Sequence, residues 1–258
     1  VLSGSVAGYI SARLYRYFDG TYWKRTAVVT AVAFPGVSVS MFLSLNFVLS
    51  FHDAASAVSP TTILMIFALW VCVSTPLAFV GSFLGHRAVK IKVPTKSNQI
   101  ARFIPTSESW LVKSPHSMLL GGILPFFSVC IELYFVMGAL WLHQVYYIMG
   151  FAFGIFFILT LSISTISMVL TYLSLCGEEY RWWWRSFWSG ASAGLYLFLY
   201  SIWFLATKLE LVVGVAPLMV YLTYMGIICV AFGLYCGGVG VLSSFWFCRK
   251  IYGAVKVD

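Results

Sequence analysis

Apolar runs of bilayer-crossing length follow one another along almost the whole chain, and nearly every Lys and Arg falls in alternate connections between them. A hydrocarbon core of about 30 Å takes roughly 20 helical residues. Runs of that length recur at positions 26–51, 61–85, 118–140, 145–171, 188–206 and 213–247. Hydrophobic residues make up 61% of the chain and charged residues 9%, more apolar surface than a water-soluble fold can hide. The expected fold is all-α: a polytopic transmembrane helical bundle with about six complete spans. No polar stretch is long enough for a soluble domain.

The first apolar run reaches Arg13 too early to cross a bilayer, and the chain opens on Val1 without an initiator Met. Residues 1–15 therefore read as the second half of a truncated helix, with a signal peptide or soluble domain expected upstream. The last run is longer than a bilayer needs and should tilt, kink or protrude.

The basic residues sort by side. Arg13, Arg16, Lys24 and Arg25 precede the first complete span. By parity the same side holds the long connection at 86–117, then Arg181 and Arg185, then Arg249, Lys250 and Lys256. Lys208 alone lies opposite. This pattern predicts that the basic loops and the C-terminus face the cytosol. Topology and anionic membrane lipid account for the formal charge of +8, and no nucleic-acid partner is implied.

Pro35, Pro76, Pro125 and Pro217 lie within spans, where they should kink helices or free carbonyls for other partners. Small-xxx-small pairs recur at Gly4/Gly8, Gly81/Gly85, Gly150/Gly154, Gly190/Gly194 and Gly233/Gly237. Such pairs let helix backbones approach closely in lipid, here most simply within the bundle. Of the six cysteines, Cys72, Cys130, Cys229 and Cys236 sit inside apolar runs, reading as buried small hydrophobes. Cys176 and Cys248 lie at helix ends, where palmitoylation is conceivable, and none of the six has metal-ligand spacing.

Few residues offer chemistry. Glu132 is the one acid well inside a span. An ionised carboxylate at the helix centre costs about 2.5–3.5 kcal/mol on insertion scales, so it should face protein or water. It reads either as a proton relay, cation ligand or polar recognition site, or as a protonated Glu bonded across a helix interface. The string Glu179-Tyr180-Arg181-Trp182-Trp183-Trp184-Arg185 reads as an interfacial anchor, its Arg and Glu pairing with each other and with lipid head groups. His52, His86, His116 and His143 are isolated, and no zinc-protease, nucleophile-elbow or phosphate-loop motif occurs. Neither an enzyme, a metal nor a cofactor is expected. The tail Arg249 to Asp258 reads first as a stop-transfer flank, although Lys256-x-Asp258 is also a charge arrangement that a cytosolic receptor could read.

Several strings, in order along the chain, resemble one family. Gly8-Tyr9-Ile10-Ser11-Ala12-Arg13-Leu14-Tyr15 resembles the G-Y-x-S-A-R-L-Y element of the transmembrane 9 superfamily, the nonaspanins or endomembrane protein 70 family. Asn98-Gln99-Ile100 with Arg102, Ile104 and Pro105 resembles its N-Q-I-x-R-x-I-P loop. Gly121-Gly122-Ile123-Leu124-Pro125-Phe126 is similar to its G-G-I-L-P-F helix start, and the tryptophan string to its [ED]-Y-R-W-W-W-R element. The tail is similar to its K-I-Y-x-x-V-K-[VI]-D ending, while residues 105–116, with Glu108, Trp110 and Lys113, match no pattern of the family.

The resemblance implies a nine-span protein with a large lumenal N-terminal domain, of which residues 1–258 would be the C-terminal membrane part. It implies residence in Golgi and endosomal membranes and a role in sorting, helping client membrane proteins with glycine-rich transmembrane helices reach their destination. Lys256 and Asp258 then match a retention signal bound by the coatomer coat. The competing expectation is a secondary transporter or ion pathway that uses Glu132.

Overall fold

The computed structural model describes residues 2–51, 58–91, 94, 100, 114–141, 148–208 and 215–254. Among them every regular element is helical. In chain order these are α1 (Leu2–Tyr17), α2 (Trp23–Phe51), α3 (Pro60–Leu69), α4 (Thr75–Arg87), α5 (Ser114–Trp141), α6 (Ile148–Cys176), α7 (Trp182–Lys208) and α8 (Val215–Ala254). A five-residue π turn, Trp70–Ser74, joins α3 to α4. Five stretches have the length and apolar composition to cross a membrane: Trp23–Ser50, Pro60–Arg87, Phe153–Cys176, Trp182–Thr207 and Ala216–Ala254. Helix α5 adds a shorter apolar segment, His116–Cys130. The chain is thus an all-α, multi-span bundle, as the apolar runs predict.

The π turn has a local cause. Pro76 has no N–H to offer the carbonyl four residues back, and its ring crowds that carbonyl. The backbone slips by one residue, so that the Thr75 amide donates to Trp70 O, five positions away. The Thr75 hydroxyl donates to the same oxygen at 3.2 Å. Pro35 and Pro125, by contrast, sit inside helices that run on without a break.

The chain forms two compact units. The first comprises residues 1–93 and 212–227. Here α1 and α4 run parallel, with Gly4 beside Ser74, Gly8 against Ala78 and Ser82, and Tyr9 against Gly85. A methyl on Gly8 would collide with Ala78 O, one on Gly81 with Ser5 O, and one on Gly85 with Tyr9 O. The two backbones touch because these positions lack a side chain. The Ser82 hydroxyl donates to Gly8 O at 3.3 Å across the same contact. Helix α2 folds back along α1, joined to it by the Ser11–Thr30 hydroxyl pair at 2.9 Å and by buried Ala12, Ala27 and Ala31.

The second unit comprises residues 94–211 and 228–258. Its core is Val129, Leu159, Ile163, Ala193 and Cys236, drawn from α5, α6, α7 and α8. Helix α5 runs parallel to α7, Gly121 lying on Ser189 and Gly122 on Ser192, while the Tyr196 hydroxyl donates to Leu119 O at 3.0 Å. Helix α8 runs antiparallel to α7, with Gly190 against Cys236 and Gly194 against Cys229 and Gly233. Among the described residues Gly4, Gly8, Gly81, Gly85, Gly190, Gly194, Gly233 and Gly237 do close interfaces, whereas a methyl on Gly154 would meet none of them within 4 Å.

Candidate functional sites in the membrane bundle

In the first unit the basic residues gather at one end. Arg16, in the last turn of α1, donates through Nη1 to the carbonyls of His86 and Ala88, the latter at 2.7 Å. It thereby satisfies backbone acceptors that the end of α4 leaves open. Trp23, the first residue of α2, stacks on His86 with ring centroids 5.2 Å apart and also approaches Phe83. The guanidinium of Arg87 lies 4.4 Å from the Phe83 ring centroid. Lys90 pairs with Asp19. Lys24 and Arg25 are exposed on the first turn of α2. Two nitrogens in this region, Arg13 Nε and His86 Nδ1, are buried without a hydrogen-bond partner among the described residues.

The opposite feature of the same unit is apolar. Helix α2 packs on α4 but parts from α3. The opening is a cleft of two adjoining hollows of about 340 and 380 Å³ that share Val39 and Ile66. Phe42, Phe67, Pro35 and Trp70 complete much of its wall, and no residue of α3 is buried.

The second unit holds a polar seam. At its centre the Ser244 hydroxyl of α8 meets Thr171 Oγ1 of α6 at 2.8 Å and Ser186 Oγ of α7 at 2.6 Å. Ser186 also donates to Gly240 O at 2.8 Å. One turn further along α6, Ser174 accepts from Arg185 Nη1 at 2.6 Å, and Arg185 Nη2 lies 2.5 Å from Glu179 Oε2. The Arg185 side chain is only 5% exposed. The turn that brings Glu179 there closes α6 with left-handed Glu178 (φ 57°), whose successor Glu179 donates its amide to Ser174 O at 3.0 Å. In hydrocarbon each such polar group needs a partner in the protein, and here three helices supply partners to one another.

The sequence-derived site residues are placed as follows. Arg181 and Trp184 are exposed, Trp182 and Trp183 are half-buried, and all lie at or beside the start of α7, which continues through Arg185 as helix. Arg185 points inward to Ser174 and Glu179, away from the surface that Arg181 and Trp184 occupy. Glu132 belongs to α5, and its side chain lies outside the described part of the structure. Lys256, Asp258, His52, His143 and residues 105–113 also lie outside the described residues. Cys229, Cys236 and Cys248 are buried, whereas Cys72 and Cys176 are exposed. Among the described residues no three His, Cys, Asp or Glu gather as a metal-binding group.

Sequence reading misses the seam. Ser167, Thr171 and Ser174 recur on one face of α6, and Ser186, Ser189 and Ser192 on one face of α7, a spacing that could have signalled it. Serine in a span so often bonds its own helix, as Ser38 does to Phe34 O, that spacing alone identifies no partner.

The helices, their glycine contacts and the one-ended basic clusters define a polytopic helical membrane protein. A model of the Endomembrane protein 70 family matches residues 1–214. The chain is 42% identical over its whole length to Transmembrane 9 superfamily member 10 of Arabidopsis thaliana, covering 40% of that relative. It is 38% identical, again over its whole length, to Transmembrane 9 superfamily member 2 of Homo sapiens, covering 39% of it. The chain belongs to the Endomembrane protein 70, or transmembrane 9, family. It spans about two fifths of the length of the curated relatives it matches. No solved structure matches it.

Proposed function

We propose that this protein sorts other membrane proteins in Golgi and endosomal membranes, holding client transmembrane helices that carry glycine while they are moved to their destination. The observation that carries the reading is the cleft between α2 and α3, about 340 and 380 Å³ in its two parts. It opens within the span region of a bundle in which α1 and α4, α5 and α7, and α7 and α8 close glycine to backbone, as Gly81 does on Ser5 O. A client helix with small residues can bring its backbone to the wall formed by Val39, Phe42, Ile66 and Phe67, where a bulky helix is held off. The basic ends face the cytosol in this reading, and the tail residues Lys256 and Asp258 recruit the coatomer coat.

The test places a photo-crosslinking residue at Ile66 of the full-length protein. Capture of a reporter with a glycine-rich transmembrane helix, lost when the reporter's glycines become leucine, is expected. Equal capture of both reporters, or of neither, would sink the reading. Coatomer pull-down with Lys256→Ala/Asp258→Ala tests the tail separately.

A further inference from the structure

We propose that the basic rim of the first unit is a binding site for an acidic phospholipid whose headgroup carries a phosphomonoester. The rim is built from three helix ends that the fold brings together: the last turns of α1 and α4, which run parallel, and the first turn of α2. Arg16, Lys24, Arg25, Arg87 and Lys90 lie at or just beyond these ends, and Arg13 lies one turn further back in α1. Asp19 is the sole acid between Arg13 and Arg25 or between His86 and Lys90, and Lys90 already occupies it. Arg16 is spent on the carbonyls of His86 and Ala88.

What remains is uncompensated. Lys24 and Arg25 are exposed, and their side chains form neither a hydrogen bond nor an ion pair with any described residue. Arg87 is oriented by the Phe83 ring and has no acidic partner among the described residues. Arg13 gives one Nη–H to the Tyr9 hydroxyl at 3.1 Å, while its buried Nε–H has no acceptor. His86 Nδ1, buried on the same end, also lacks a partner. An oxygen-rich anion seated beside Lys24, Arg25 and Arg87 would neutralise the exposed rim through charge-assisted hydrogen bonds. The first-turn amides of α2 point toward the same end and favour an anion through the helix dipole.

Charge and depth choose the ligand. A phosphodiester alone carries one negative charge, whereas a phosphomonoester adds about 1.5–2 more near neutral pH. Several unpaired cations match the second better than the first. The rim also carries exposed Phe18 and Tyr22, at 50% and 72%, in the manner of aromatic side chains that sit at the headgroup level. A lipid headgroup arrives at that depth already concentrated in two dimensions, and polybasic segments beside spanning helices attract acidic lipid.

The experiment uses the full-length protein in phosphatidylcholine nanodiscs doped with phosphatidylinositol 4-phosphate, with phosphatidylserine, or with neither, and counts retained lipid by native mass spectrometry. Retention of the phosphomonoester lipid above phosphatidylserine is expected, falling about tenfold in Lys24→Ala/Arg25→Ala/Arg87→Ala. The control, Arg249→Ala/Lys250→Ala, removes an equally exposed basic pair from the other unit and should retain the lipid. If the triple variant does not fold, Lys24→Ala/Arg25→Ala, which touches only exposed residues, gives the answer. Equal retention of the two acidic lipids, or an equal loss in the control, would show bulk charge attraction and overturn the site. A soluble inositol phosphate that competes as well as the lipid binds would move the assignment to a free phosphate and overturn the lipid.

Discussion

Arg185 and Glu179 meet at 2.5 Å with the arginine side chain 5% exposed, and the pair ties the first turn of α7 to the turn that ends α6. Ser174 takes the other Nη at 2.6 Å, so the guanidinium is held by two partners. Removing Arg185 empties a buried site and leaves Ser174 and Glu179 without their donor. Partial hydration of Glu179, 23% exposed, holds the cost below the roughly 3–5 kcal/mol of a fully buried pair. Arg185→Ala should therefore lower the unfolding transition of the reconstituted protein strongly. Arg185→Lys should restore only part, because an ammonium does not supply the two-pronged geometry. Glu179→Gln should be milder, because the amide oxygen of Gln can still accept from Arg185 Nη2 and Ser174 still accepts from Nη1. Unfolding of Arg185→Ala within 0.5 kcal/mol of wild type, about the scatter of surface changes, would mean that the pair is not formed in the membrane.

Gly81 of α4 lies where a methyl would collide with Ser5 O of α1, while Gly154 of α6 faces open space. Both positions are glycines of small-xxx-small pairs. Gly81→Ala should separate the two helices and cost roughly 1–3 kcal/mol, the range for overpacking. Gly154→Ala should be neutral or slightly stabilising, because alanine is the better helix former. A bilayer unfolding assay on the two variants decides it, and equal effects would contradict the packing described.

That contrast shows what the sequence makes legible. The spans are readable because each apolar run must exceed a bilayer's thickness, a constraint local to the run. The positions of Gly4, Gly8, Gly81 and Gly85 are readable as close-packing signals, but not that Gly8 meets Ala78 while Gly81 meets Ser5. Partner choice is a long-range property. Gly154 carries the same local signal and meets no neighbour within 4 Å. Arg185 sits in a string that composition reads as interfacial, yet its position on the α7 face toward Ser174 turns it inward. The basic rim is legible as topology, whereas its aromatic support through Trp23, Phe83 and His86 depends on how α2 and α4 meet.

Ser186 and Ser244 share a 2.6 Å contact that joins α7 to α8, with Thr171 of α6 at 2.8 Å on Ser244. Hydroxyl pairs in membrane bundles contribute modestly, because the unfolded segments also find partners in lipid. A double-mutant cycle of Ser186→Ala and Ser244→Ala should give a coupling of about 0.6–1.7 kcal/mol. Additive effects would show that the two residues do not act together. Thr171→Val added to Ser186→Ala alone should lower stability further, since Ser244 then loses both hydroxyl partners.

The cysteines report which end faces which compartment. Cys176 ends α6 and is exposed beside Glu178 and Arg181, at the polar end of the second unit. Cys72 is also exposed, but within the π turn in the middle of the Pro60–Arg87 stretch, where a membrane crossing puts hydrocarbon around it. Cys236 is fully buried in the core. Maleimide chemistry needs a thiolate, and a thiolate needs water or a compensating charge. A membrane-impermeant maleimide should therefore label a variant retaining Cys176 alone, and should fail on variants retaining Cys72 or Cys236 alone. In sealed vesicles the Cys176 signal should appear only when the cytosolic face is outward, in keeping with the gathering of Arg181, Arg249 and Lys250 at that end. Labelling from the lumenal face would reverse the orientation of the second unit, and a coat-recruiting role for Lys256 and Asp258 would fall with it.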